Sequence, residues 1–155
     1  MTTAIVEQLD QEFGKLIESL KDLVQKVPAD LLYRNPSGVS IGESILRSAA
    51  AIEQTCEGIT ANLWDDPFEW TLPETLFSPA LIIEYLSEVD LSRQRAFKAI
   101  LDDSALTKYI SMPSGEPRRL SRVLTETLVR ASDYRGRAVA AGKILFGEGA
   151  TGFII

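Results

Sequence analysis

The chain has 155 residues, 45% apolar and 25% charged, with a formal net charge of −6, the balance of one globular domain with a core of its own. The negative charge is spread along the sequence, which argues against nucleic acid or an anionic membrane surface as a partner, since both need a basic stripe. Histidine is absent and cysteine occurs once, at Cys56, so Cys/His zinc sites and histidine-dependent nucleophilic catalysis cannot be built within one chain.

Any metal would have to sit on carboxylates and carbonyls, chemistry that suits magnesium, calcium or manganese. A lone cysteine makes no intramolecular disulfide and fits a reducing cytosol. The N-terminal "MTTAIVEQLDQEF" meets charge too early for a signal peptide. No apolar run reaches the ~20 residues of a membrane span. The expectation is a cytoplasmic protein with no cofactor.

Residues about 3–27 carry Val6, Leu9, Phe13, Ile17, Leu20, Val24 and Val27 at spacings of three and four, one face of a helix. Pro28 ends it, and "PADLLYRNPSG" reads as a loop. A second helix opens at "SIGE", where Ser40 can cap the amide of Glu43 and Glu43 can reach back. Its apolar stripe is Ile41, Ile45, Ile52, Cys56, Ile59 and Leu63, and Ala49, Ala50 and Ala51 narrow its middle. "WDDPFEWTLPET" breaks the pattern.

A third helix starts near Ser78-Pro79, serine as cap and proline in the first turn. Ile82, Tyr85, Leu86, Val89, Ala96, Phe97 and Ile100 form its face, and it ends near "DDS". "YISMPSGEPRR" is a loop with room for a short extended piece. The fourth helix runs from about 118 to 146 through Leu120, Leu124, Leu128, Ala131, Ala138, Gly142 and Leu145. No segment alternates with period two. The reading is all-α: a single domain over 1–155, four amphipathic helices in a bundle, with loops long enough for a crossover connection.

The stretches "PADLLYRNPSGVSIGESILRSAAAIE" and "RRLSRVLTETLVRASDYRGR", in this order and separation, resemble the DinB-like (DinB/YfiT) superfamily of four-helix bundles. The resemblance covers most of the chain. It implies a divalent metal held by three histidines, one on the second helix and two, four apart, on the fourth, and for some members thiol-S-transferase activity. Here the fourth-helix positions fall on Arg130 and Tyr134, with Asp133 and Tyr134 before Arg135-Gly136. The second-helix position falls on Arg47 or Ser48, depending on register. At 100° per residue Ser48 lies about 60° from Ile45 and Arg47 about 160°, so Ser48 is the better candidate to face the interior. Arginine cannot bind a cation, and serine and tyrosine are poor ligands alone. A degenerate, metal-free site is expected.

Around it, Ser44, Arg47, Ser48, Arg130, Asp133 and Tyr134 form a candidate pocket in which a guanidinium replaces the metal's charge and takes a small anion. In the plain alternative Arg130 snorkels to water or pairs with a carboxylate of the second or third helix, and Tyr134 fills the bundle with its hydroxyl bonded. Arg93 and Arg135, secondary site candidates, lie about 20° from the centres of their stripes. They line a cavity that accepts an anion, or join an internal salt-bridge network with Asp10, Glu43, Glu53 and Glu88 as candidate partners, or reach water near helix ends. Glu84 and Glu88 read as a solvated face, Cys56 as a buried structural thiol, and Trp64, Phe68 and Trp70 as a cap on one end of the core or a pocket mouth. The tail at 147–155, with Phe153, Ile154 and Ile155, is expected to dock on an apolar groove, its own or a partner's. The resemblance implies a homodimer. The leading functional expectation is a small-molecule binding or interaction module; the alternatives are a divergent transferase or hydrolase using a non-histidine site, and a structural dimerisation domain.

Overall fold

The computed structural model describes residues 2–71 and 73–147. The predicted tail segment beyond Gly147 lies outside the described residues. Four long helices dominate: α1 (Ala4–Gln25), α2 (Ile41–Ala61), α3 (Pro79–Ala99) and α4 (Leu120–Phe146). A two-residue antiparallel pair, β1 (Tyr109–Ile110) and β2 (Arg118–Arg119), supplies the expected extended piece before α4.

The helix starts follow the local chemistry in two of four cases. Ser40 Oγ accepts from the Glu43 amide at 3.1 Å and Ser78 Oγ from the Leu81 amide at 3.3 Å. Glu43 does not complete a capping box, however: its carboxylate turns outward to Arg47, 3.3 Å away. The start of α1 is capped from a distance. Asp103, beyond the end of α3, accepts from the amides of Ile5 and Val6, and these bonds, Val6 first, hold its carboxyl below the usual range. Helix α2 ends at Ala61 because Asn62 takes the left-handed conformation, φ 56°. Leu63 therefore leaves the apolar stripe and stands exposed, against expectation.

Cross-helix contacts fix the directions. Ile5 and Val6 meet Asp103, and the rings of Phe13 and Phe97 lie 5.6 Å apart, so α1 and α3 are antiparallel. Tyr85 bonds Glu53 and Ser92 bonds Glu57, so α3 runs parallel to α2. Ser48 meets Ala131 and Thr55 meets Thr127, so α4 runs antiparallel to α2. The order is up, down, down, up. Joining two parallel neighbours obliges the connection from Asn62 to Ser78 to travel back along the packed helices, which is why it is long. Tyr33 OH on the Leu76 carbonyl and Gln54 on the Trp64 carbonyl pin it at both ends.

Phe13, Ile17, Leu20, Ile45, Ile52, Ile82, Leu86 and Leu124 fill the shared core. Two glycines inside α2 admit aromatic rings from the flanking loops. A Cβ on Gly42 would lie 2.5 Å from Tyr33, and one on Gly58 would lie 2.4 Å from Trp64. A mid-helix glycine costs about 1 kcal/mol against alanine; here it is offset by aromatic surface removed from water. Among the described residues, no helix is long and apolar enough to cross a membrane.

Candidate functional site

The six candidate residues separate into an interior group and an outer group. Ser48 is fully buried and its Oγ donates to the Ala131 carbonyl at 2.7 Å. One turn and more along the same seam, the hydroxyls of Thr55 and Thr127 lie 2.6 Å apart, and Thr127 also bonds the Val123 carbonyl at 2.8 Å. Small side chains thus let α2 and α4 approach closely and satisfy one another. Ser44 is also buried. The residue facing Ser48 on α4 is Ala131, not Arg130 or Tyr134.

The superfamily's metal does not fit these residues. The only interior oxygen at the implied positions is Ser48 Oγ, already engaged with a carbonyl. Arg130 is a permanent cation on the exposed side of α4.

On the outer side, Arg47, Arg130 and Tyr134 do converge. With Ala50, Ala51, Gln54, Asp66 and Phe68 they line a cleft of about 110 Å³. Ala50 and Ala51 leave the space open, since larger side chains there would fill it. Arg47 is held twice, by Glu43 and by the face of Phe68, whose ring centre is 4.0 Å from its guanidinium carbon. The Asp66 carboxylate accepts from the Phe68 amide. Arg137 lies 5.1 Å over the Tyr134 ring and pairs with Asp133 at 2.9 Å. Asp133 is therefore exposed and spent on its neighbour, outside the cleft.

Arg130 differs from these. Among the described residues no carboxylate lies within ion-pair distance of it; its charge is felt only at longer range by Glu126, whose carboxyl is held down first by Arg122. Of the plain alternatives, Arg130 does not pair with a carboxylate but reaches toward solvent from an exposed position. The cleft continues on both sides. Toward the N-terminus of α2 it opens into a space of about 280 Å³ lined by Ser44, Arg47, Tyr134 and Arg137. Toward Trp64 it opens into one of about 140 Å³ that shares Gln54 and Arg130.

Arg93 behaves as an internal ion pair. It donates to Asp10, one of the anticipated partners, and to Asp90 at 2.9 Å, which was not among them. These carboxylates outweigh its burial and keep it charged. Arg135 meets none of the four anticipated carboxylates. It donates to Ser19 Oγ in the seam between α1 and α4, where a cleft of about 420 Å³ is lined by Gly14, Ser19, Leu23, Lys26 and Arg135.

Two acidic contacts couple α2 to α3. Glu53 accepts from Tyr85 OH at 2.6 Å, and burial pushes its carboxyl up despite that bond, with Glu57 and Glu88 adding to the rise. Glu57 accepts from Ser92 at 2.6 Å and Arg95 at 3.0 Å, which bring its carboxyl down. Cys56 between them is buried, and burial pushes its thiol up to about 12: it is a core residue, not a nucleophile.

Gln54 and Phe68 line the outer cleft and Trp64 the space beside it; Gln54 is not among the candidate residues, and the sequence places Trp64 and Phe68 only as a cap on the core or a pocket mouth. For Gln54 the signal was present, since Arg47, Ala50, Ala51 and Gln54 share a helical face by spacing alone. Trp64 and Phe68 reach it from the loop, and no periodicity places a loop residue. Set against protein-family models, curated proteins and solved structures, the chain matches none of them.

Proposed function

We propose that the chain is a DinB-like four-helix bundle without the three-histidine metal site, and that it binds a small anionic molecule in the furrow outside α2 and α4. The order of motifs and the crossover between α2 and α3 support the family reading. The observation that carries the function is Arg130: its guanidinium lines a cleft beside Tyr134 with no carboxylate in ion-pair range among the described residues. A planar fork of donors in that position suits a carboxylate or phosphate.

Isothermal titration calorimetry with small carboxylates and inorganic phosphate tests it. Saturable binding that falls at least tenfold in Arg130→Met supports the reading, and the absence of any binding overturns it. The homodimer implied by the resemblance is tested separately by light scattering, where a monomer at micromolar concentration refutes it. The free, buried thiol of Cys56 suits a reducing cytoplasm.

A further inference from the structure

The furrow changes character on either side of Arg130. On one side are Arg47 and Tyr134, the polar section with Asp66 at its edge. On the other, Trp64, Met112 and Pro113, brought over the groove by the α2–α3 connection and by the hairpin before α4, add apolar surface beside the paired Arg118 and Glu126. Gln54 and Arg130 line both sections, so one ligand can span them.

The charges already present restrict what the polar end can take. Arg47, Arg118 and Arg137 each have a carboxylate within 3.3 Å. Only Arg130 is left to neutralise a ligand, and Asp66 in one section and Glu126 in the other repel a second negative charge. A polyphosphate or dianion, which needs several converging unpaired cations, is disfavoured. Trp64 meanwhile offers a ring half removed from water and fixed in place: its face lies against Gly58, its Nε1 donates to Asn62 at 3.0 Å, and its carbonyl is held by Gln54 at 2.8 Å. A rigid indole beside Met112 and Pro113 is a wall for apolar or aromatic surface, with little ordering left to occur on binding.

We infer that the ligand is an amphipathic monocarboxylate, an aryl or short acyl acid, with its carboxylate on Arg130 and Tyr134 and its apolar body against Trp64, Met112 and Pro113. This rests on the anion reading of the same furrow and narrows it to a substrate class.

The test uses the full chain carrying Trp70→Phe, which leaves Trp64 as the single indole; Trp70 is 55% exposed, so the change is tolerated. Phenylacetate and hexanoate are titrated against acetate, inorganic phosphate and the neutral phenylacetamide at constant ionic strength, followed by calorimetry and Trp64 emission. Expected are saturable binding of the two amphipathic acids with a shift in Trp64 emission, at least tenfold weaker binding of acetate, phosphate and the amide, and a loss of tenfold or more in Arg130→Met, whose exposed position leaves folding intact. If acetate or phosphate binds as well as phenylacetate with Trp64 unmoved, the inference fails while the anion site stands. If phenylacetamide binds as well as phenylacetate, the carboxylate has no role and the inference fails. If nothing binds, both fall.

Discussion

Ser48 Oγ and the Ala131 carbonyl lie 2.7 Å apart across the α2–α4 seam, and this bond uses the buried hydroxyl between the two helices at that level. The site is a packed polar contact between helices. Replacement by alanine removes one buried bond, for a loss of about 1 kcal/mol. Ser48→His forces a large ring between helices spaced for serine and costs a further 1–3 kcal/mol or so. Urea denaturation with and without zinc measures both. A zinc-dependent rise in the midpoint for Ser48→His would show that the seam can open into a metal site.

Thr55 and Thr127 form the second rung of the same seam. The Thr127 proton is committed to the Val123 carbonyl, so Thr55 is the donor in the 2.6 Å contact. Thr127→Val leaves the Thr55 hydroxyl without that acceptor and costs about 1–3 kcal/mol, whereas Thr55→Val removes one donor and costs about 0.5–1.5 kcal/mol. The double variant should lose clearly less than the two single losses combined, by about 0.5–1.5 kcal/mol. Additive losses in a double-mutant cycle would mean that the hydroxyls are not coupled.

The helices were legible because each carries a stripe at spacings of three and four and two carry serine caps; Phe13, Ile17, Leu86 and Leu124 sit where that periodicity puts them. Burial of Ser48 and outward placement of Arg47 followed from helical angles alone. What escaped depended on partners distant in sequence. Asp103 caps α1 across the fold and Arg135 settles on Ser19, because a cap or a polar contact is set by which helices become neighbours. Asp90, which shares Arg93 with Asp10, stands three residues away on the same helix and could have been read from spacing. The cleft is part loop: Arg47, Gln54, Arg130 and Tyr134 can be placed by angle, but Phe68 and, in the adjoining space, Trp64 depend on the path of the connection after Asn62.

Glu53 makes stability depend on pH in the direction opposite to Asp90. Burial raises the Glu53 carboxyl in the folded state, so between the ordinary glutamate value, about 4.3, and its raised folded value the native state holds more protons than the unfolded chain. Stability from this group is greatest below that window and declines as pH rises through it. Asp90 is lowered; burial opposes this, but Arg93 and Gln94 prevail, so its contribution is full above about 3.9 and is lost as pH falls. Glu53→Gln keeps an acceptor for Tyr85 OH and removes the buried charge. At pH 7 it should stabilise by a few tenths to about 1 kcal/mol, screening by nearby water limiting the gain, and the advantage should vanish toward pH 4. Parallel stability–pH curves for the two proteins would show that Glu53 does not titrate abnormally.

Gly58 and Gly136 make opposite predictions although both lie inside helices. A Cβ at Gly58 would meet the Trp64 ring at 2.4 Å, whereas one at Gly136 meets nothing within 4 Å. Gly136→Ala therefore gains only the backbone term and should stabilise by about 0.5–1 kcal/mol. Gly58→Ala gains the same term but drives the indole from its seat, at about 1–3 kcal/mol for the displaced packing, for a net loss of up to about 2 kcal/mol. Trp64 then also loses its fixed position in the furrow, so its emission should shift to the red and phenylacetate affinity should fall, while Gly136→Ala leaves both unchanged. Thermal unfolding and fluorescence on the two variants separate these effects. Equal stabilisation by both alanines, with unaltered Trp64 emission, would mean that the indole does not rest on α2 and that the apolar wall of the furrow is built differently.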